Sequence, residues 1–226
     1  MSDLAKRWAV AAAGIPTVVV LLYLGGWPLA VPVAVLAALG SLEFSRLSAG
    51  GGVMALRTIG ASGAVAFVLA AAWRPTFVDF SPVALGIVLA LVGAGLIGAL
   101  GSRGPGDRPI ASVAVTVFGA AYVGLPLAFV PLLHALPQAH GWSVPGTAWA
   151  GTFIVALPLA STWLGDAMAL FVGTAWGHGG LAPSISPNKS WIGVWGGVAG
   201  AGIASAVWFL LARQTLPGQH PKSLPH

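Results

Sequence analysis

The chain has 226 residues, of which 57% are hydrophobic and only 7% charged, with a mean hydropathy of +0.90 and a formal net charge of +5. A soluble domain carries about 25% charged residues; this chain has too few to cover a water-facing surface, so most of its surface must face lipid. The absence of cysteine excludes a disulfide framework, a thiolate zinc site and an iron–sulfur cluster, and basic residues confined to the loops of a membrane chain signal orientation and headgroup contact, not a nucleic-acid interface.

Apolar runs broken by charge or turn residues define the predicted elements. The first runs from Trp8 to Leu24 and ends at Gly25-Gly26. The second covers Pro28 to Leu42 and stops at Glu43 and Arg46, which are expected to pair. The third covers Ile59 to Trp73, between the turn Gly50-Gly51-Gly52 and Arg74, Pro75 and Asp79. The fourth runs from Pro82 to Leu100, before the polar loop Gly101–Pro109. The fifth covers Ile110 to Leu133 and is followed by the loop Ala135–Pro145. The sixth covers Thr147 to Ala175, and the seventh Trp191 to Leu211. Lys6 and Arg7 ahead of the first run resemble the start of a signal peptide. The run leads into six more without a clear cleavage site, so it is expected to be retained. The expected fold is all-α: a polytopic bundle of about seven transmembrane helices within residues 1–212, followed by a disordered tail over 213–226 that holds three prolines.

Loop charge orients the chain. With the N-terminus in the cytoplasm, Lys6, Arg7, Arg46, Arg57, Arg103, Arg108 and Lys189 lie inside, and Arg74, Arg213 and Lys222 outside. This is the asymmetry the positive-inside rule requires. Small residues offer a packing device: Gly93, Gly95, Gly98 and Gly101 on the fourth run, and Gly193, Gly196, Gly197 and Gly200 on the seventh. Such stripes let helix backbones approach within the chain or across a homodimer interface. Pro126, Pro131 and Pro158 are expected to kink or open their helices. Most of the tryptophans sit near predicted helix ends, as interface anchors do.

Asp166 is the polar residue the bilayer would exclude most strongly. A carboxylate at depth costs about 2.5–3.5 kcal/mol, so it needs a partner, a cavity or a metal. Thr162, Ala169 and Gly173 share its helical face, and the stripe can serve a structural ion pair or a functional carboxylate. The second signal is the loop Leu181 to Trp191, with Ser186, Asn188, Lys189 and Ser190 beside a helix start. A helix N-terminus there suits phosphate, Lys189 adds a full charge, and Ser190 can cap the helix with Trp191 as anchor. On these residues alone, an ordinary capped cytoplasmic loop is equally served. His134, His140, His220 and His226 lack metal-ligand spacing, while His178 lies close enough to touch a phosphate.

The stretch Asp166-Ala167-Met168-Ala169-Leu170-Phe171-Val172-Gly173, then Ser186-Pro187-Asn188-Lys189-Ser190-Trp191-Ile192-Gly193 and Gly196-Gly197, resembles the central region of the phosphatidate cytidylyltransferases, the CDP-diacylglycerol synthases. Lys6-Arg7 with Pro16, Glu43-Phe44, and Tyr122 to Leu127 are similar to earlier parts of that family. The chain departs from the pattern at Leu170, Thr174 and Ile192, where the family carries tyrosine, arginine and glutamate. It also ends before the family's downstream signature, so a truncated or degenerate member is expected.

The resemblance implies transfer of a cytidylyl group from CTP to phosphatidic acid, giving CDP-diacylglycerol and pyrophosphate. It implies Mg²⁺ as cofactor, Asp166 as metal ligand and catalytic group with Lys189, and substrate contacts from Ser186, Asn188, Ser190 and Trp191. CTP would arrive from the cytosol and the lipid sideways from the bilayer. Two other readings stand beside it: a membrane kinase of a polyprenol- or phytol-type alcohol, and a non-catalytic or transporter-like bundle in which Asp166 is structural or a proton relay.

Overall fold

The computed structural model describes residues 3–140, 147–177, 180–182 and 186–215. Seven helices run through it: α1 (Asp3–Leu24), α2 (Gly26–Gly50), α3 (Arg57–Trp73), α4 (Phe77–Ser102), α5 (Pro109–Ala139), α6 (Thr147–Trp176) and α7 (Trp191–Thr215). A 3-10 turn covers Pro105–Asp107, and a hairpin joins β1 (Gly180–Ala182) to β2 (Ser186–Ser190). The fold is all-α as expected, and α7 ends at Thr215; residues 216–226 of the predicted tail lie outside the described residues. Five helices, α2, α4, α5, α6 and α7, are long and apolar enough to cross a membrane, while the apolar part of α1 (Gly14–Leu24) and α3 are shorter. On α4, Leu89, Ile97 and Leu100 are 65%, 74% and 85% exposed. A helix carrying such a face is stable only against hydrocarbon, which makes this a multi-pass membrane protein.

The chain divides into two compact units, residues 1–143 with 147–152, and 144–146 with 153–226. In the first, α3 is the centre and packs on α2, α4 and α5. Its 17 residues span only about 26 Å at 1.5 Å each. It buries Gly60, Gly63, Ala64, Phe67 and Ala71, a stripe at helical spacing. Phe67 is fully enclosed, in a core with Phe80, Leu91, Ala120 and Leu132. Gly124 admits α3 closely: a Cβ there would lie 2.8 Å from Ala64 Cα. The glycines of α4 divide, Gly95 meeting Val113 and Gly98 meeting Ile59, with open space at Gly93 and Gly101.

Buried hydroxyls in this unit use helix carbonyls. Ser45 Oγ donates to Ser41 O (2.9 Å), and Thr116 Oγ1 to Ser112 O (2.6 Å) while accepting from Leu56 N (2.8 Å). Leu56 is the residue from which α3 starts, so α5 tethers that start. At the other end, the carbonyl of Leu22 in the last turn of α1 receives His134 Nε2 (2.7 Å) and Thr152 Oγ1 (2.8 Å). The His134 ring fills the space where a Cβ of Gly25 would be, and Gly25 has φ +60°, a conformation glycine adopts without penalty. His134 is therefore a packing and capping residue.

The helices stay continuous through their prolines: α5 runs through Pro126, Pro131 and Pro137, and α6 through Pro158. Neighbouring groups can satisfy the carbonyls proline frees, and Trp208 Nε1 donates to Phe153 O (2.7 Å) one residue before the carbonyl that Pro158 leaves unpaired. One expectation is corrected here: helix α2 does not stop at Glu43. It carries Glu43 and Arg46 as an i,i+3 pair at 3.2 Å and continues to Gly50.

In the second unit, α6 and α7 lie antiparallel. Phe153 stacks on Trp208 with ring centroids 5.0 Å apart, and Ser161 Oγ meets Ser205 Oγ at 3.2 Å. A Cβ on Gly165 would lie 3.2 Å from Gly197 O, and one on Gly173 would lie 3.4 Å from Gly193 Cα. Gly193, Gly196, Gly197 and Gly200 of α7 thus face α6 of the same chain.

Candidate functional site

At the end of this helix pair, α6, β1, β2 and the start of α7 enclose a cavity of about 430 Å³. Asp166, Ala169 and Gly173 reach it from α6. Leu181 lines it from β1, Lys189 from β2, and Ser190, Gly193 and Val194 from the turn into α7. The face Asp166–Ala169–Gly173 is therefore the one turned to the cavity, as its spacing required. Thr162, on the same face but a turn further in, donates to Pro158 O (2.8 Å).

The segment predicted as a loop is an antiparallel hairpin. Gly180 pairs with Ser190 and Ala182 with Ser186, with an irregularity between the two pairs. It brings Lys189 to within one residue of the α7 N-terminus. Ser190 Oγ accepts from Gly193 N at 3.2 Å, an N-cap at the third helical amide. The cap sits where α6 and α7 are thinnest: a Cβ on Gly173 would lie 3.4 Å from Ser190 Oγ, and one on Gly177 2.6 Å. Only glycines leave that hydroxyl room to turn toward its helix.

Among the described residues, neither Asp166 nor Lys189 has a hydrogen-bond or ion-pair partner, and both are exposed to the cavity side of their elements. A structural ion pair, one of the readings open on sequence, is thus not formed among the described residues. An anion and a cation face one cavity without neutralising each other, at the positive end of a helix dipole. The described residues contain no cluster of three histidine, cysteine or acidic side chains, so Asp166 is the one carboxylate offered here. That donor set fits a hard cation that takes one or two carboxylates and completes its shell with phosphate oxygens and water. It does not fit a fully protein-ligated metal.

Three of the six residues singled out from sequence, Asp166, Lys189 and Ser190, line this cavity. Ser186 lies at the far end of the hairpin opposite Ala182, Trp191 is exposed on the first turn of α7, and the side chain of Asn188 is outside the described residues, as is His178. Sequence reasoning missed Leu181, Val194, Leu170 and Thr174 as lining residues. Thr174 turns its hydroxyl into its own helix, toward Leu170 O (2.8 Å) and Phe171 O (3.1 Å). Only the spacing of Leu170, Gly173 and Thr174 from Asp166 could have drawn attention to them.

The fold defines a multi-pass membrane protein with a cavity at a helix N-terminus lined by one carboxylate and one lysine. Residues 5–221 match the model of the cytidylyltransferase family, and the chain belongs to that family. It is 31% identical over 227 aligned residues to a phosphatidate cytidylyltransferase of Chlamydia pneumoniae, covering 92% of this chain and 68% of the relative. A phosphatidate cytidylyltransferase of Haemophilus influenzae is 37% identical over 68 residues, 30% of this chain and 24% of the relative. One of Chlamydia trachomatis is 31% identical over 101 residues, 45% of this chain and 32% of the relative. Family membership favours cytidylyl transfer over the alcohol-kinase and non-catalytic readings.

Proposed function

We propose that this chain catalyses the reaction of CTP with phosphatidic acid to give CDP-diacylglycerol and pyrophosphate, as a step of phospholipid biosynthesis at the membrane. The observation that carries the residue assignment is that Asp166 and Lys189 line one cavity from two elements without pairing to each other. The names of its relatives support the substrates.

In this reaction a phosphate oxygen of phosphatidic acid attacks the α-phosphorus of CTP. The bond from that phosphorus to the bridging oxygen breaks, and pyrophosphate leaves with the electron pair. No side-chain nucleophile is required. The difficulty is the approach of two anions, and the protein answers it with positive charge placed in advance. Lys189 contributes an ammonium to the triphosphate, and the first turn of α7 contributes amide dipoles. Asp166 would hold Mg²⁺, whose chemistry is to screen the phosphate charge and polarise the reacting phosphoryl oxygen. Ser190 holds the turn that carries Lys189, and Ser186 and Asn188 extend the polar hairpin beyond it. Leu170 and Val194 give the cavity an apolar wall beside the bilayer, suited to the diacylglycerol portion. The N-terminus and the hairpin lie in the cytoplasm, where CTP is available, in keeping with the excess of loop arginines on that side.

The test is to supply membranes containing the protein with phosphatidic acid and labelled CTP. CDP-diacylglycerol should form in a Mg²⁺-dependent manner and be lost in Asp166→Asn and Lys189→Ala. Formation at the parent rate in both variants would refute the assignment.

A further inference from the structure

The first unit carries a second cluster of positive charge, unrelated to any step above. Arg57, at the first position of α3, and Arg103, just after α4, line one cavity of about 400 Å³ together with Met54, Leu56 and Ile59. Arg103 is anchored: its Nη2 donates to Met54 O (3.1 Å) and Ala55 O (3.5 Å), both carbonyls of the α2–α3 connection. Its Nε is buried without an acceptor among the described residues. The side chain is thus already ordered, and its charge is met only by neutral groups, these carbonyls and the Met54 sulfur, among the described residues.

Among the described side chains of the first unit, the carboxylates are engaged elsewhere. Glu43 is taken by Arg46, Asp79 bonds Thr76 at the opposite end of α4, and Asp107, in the same loop as Arg103, accepts from Gly104 N at 2.8 Å. Arg57 has no partner among the described residues. The helix it begins has no side-chain cap at Leu56, so the first amides of α3 face the same side. Two guanidiniums match phosphate oxygens by geometry as well as charge. Thr58 and Ser102 add hydroxyls to the lining, while Met54, Leu56 and Ile59 form an apolar side; a bare phosphate would leave that side unused, whereas a headgroup continuing into glycerol and acyl chains would cover it.

We propose that the Arg57–Arg103 cavity binds the phosphate of an anionic membrane lipid, at the level where the helix ends meet the headgroups. The reading is independent of the cytidylyl-transfer site, since it uses only residues of the first unit.

The test uses the full chain in detergent, with bound molecules counted by native mass spectrometry. The probes are phosphatidylglycerol, phosphatidylcholine and glycerol 3-phosphate. Each basic residue near a membrane surface contributes a factor of about five to anionic-lipid binding. Arg57→Gln should therefore weaken phosphatidylglycerol about fivefold, and Arg57→Gln with Arg103→Gln about 30-fold, with phosphatidylcholine unaffected. Arg57 has no hydrogen-bond or ion-pair partner among the described residues, so its single variant decides the matter if the double variant does not fold. Phosphatidylglycerol binding changed less than about twofold by Arg57→Gln would overturn the site. Glycerol 3-phosphate binding as tightly as the lipid would overturn the assignment to a membrane ligand.

Discussion

Gly200 on α7 meets the backbone of Leu164 on α6 so closely that a Cβ at Gly200 would lie 2.6 Å from Leu164 O. Two residues along, Gly202 has nothing within 4 Å. Substituting alanine at each gives a paired experiment on one helix. Gly200→Ala must push α6 and α7 apart, an overpacking cost of about 1–3 kcal/mol. Gly202→Ala should be neutral or stabilising by up to about 1 kcal/mol, because it only restricts the unfolded chain. Thermal unfolding in detergent reads the difference; equal effects would mean the seam is not a backbone contact.

Ser190 serves two purposes that substitution can separate. Ser190→Ala removes the acceptor for Gly193 N and should cost about 1 kcal/mol of stability. Ser190→Asp keeps an N-cap acceptor, so stability should hold. It places a negative charge beside Lys189 in a cavity meant for phosphates, so turnover should fall further than in the alanine variant. Melting temperature and CDP-diacylglycerol formation, measured on both, would rank the variants in opposite orders.

Thr116→Val is nearly isosteric but deletes the acceptor for Leu56 N. An amide left unpaired inside the first unit costs about 1–3 kcal/mol. The loss should appear in the unfolding of the chain while the affinity for CTP stays unchanged. A silent Thr116→Val would show that Leu56 N finds another acceptor.

Among the described residues neither Asp166 nor Lys189 has a hydrogen-bond or ion-pair partner, so their substitution should spare stability. Losing one preorganised charge from a transition state costs about 10²–10³ in rate. Asp166→Asn should show that loss in kcat, with Mg²⁺ dependence blunted. Lys189→Gln should also raise KM for CTP, and Lys189→Arg should recover part of both, because the charge is kept while its reach and shape change. A drop in melting temperature that tracks the activity loss would reassign either residue to a structural part.

Much of this was legible in the sequence because a membrane chain is written in few symbols. Helix placement followed from apolar runs, and Asp166 stood out because a carboxylate among so many apolar residues is expensive. Helix ends were harder. Glu43 and Arg46 looked like a terminus, yet charges at the headgroup level pair along a helix without ending it. Pro137 looked like loop and is the last turn of α5. The hairpin was hidden because Ser-Pro-Asn-Lys-Ser contains residues depleted in strands, and its pairing depends on residues on either side of the turn. Leu181 and Val194 are ordinary apolar residues whose place on the cavity is set by the approach of α6 and α7. That approach was written as glycines, whose partners no spacing rule names.

The cap at Ser190 has one more effect. Because its hydroxyl ties strand to helix at a single point, the main chain of the preceding lysine has a fixed pivot, while four methylenes beyond it remain free to swing. On the proposed assignment, one ammonium would follow negative charge as it migrates from reactant toward departing pyrophosphate, and the frame around it need not move.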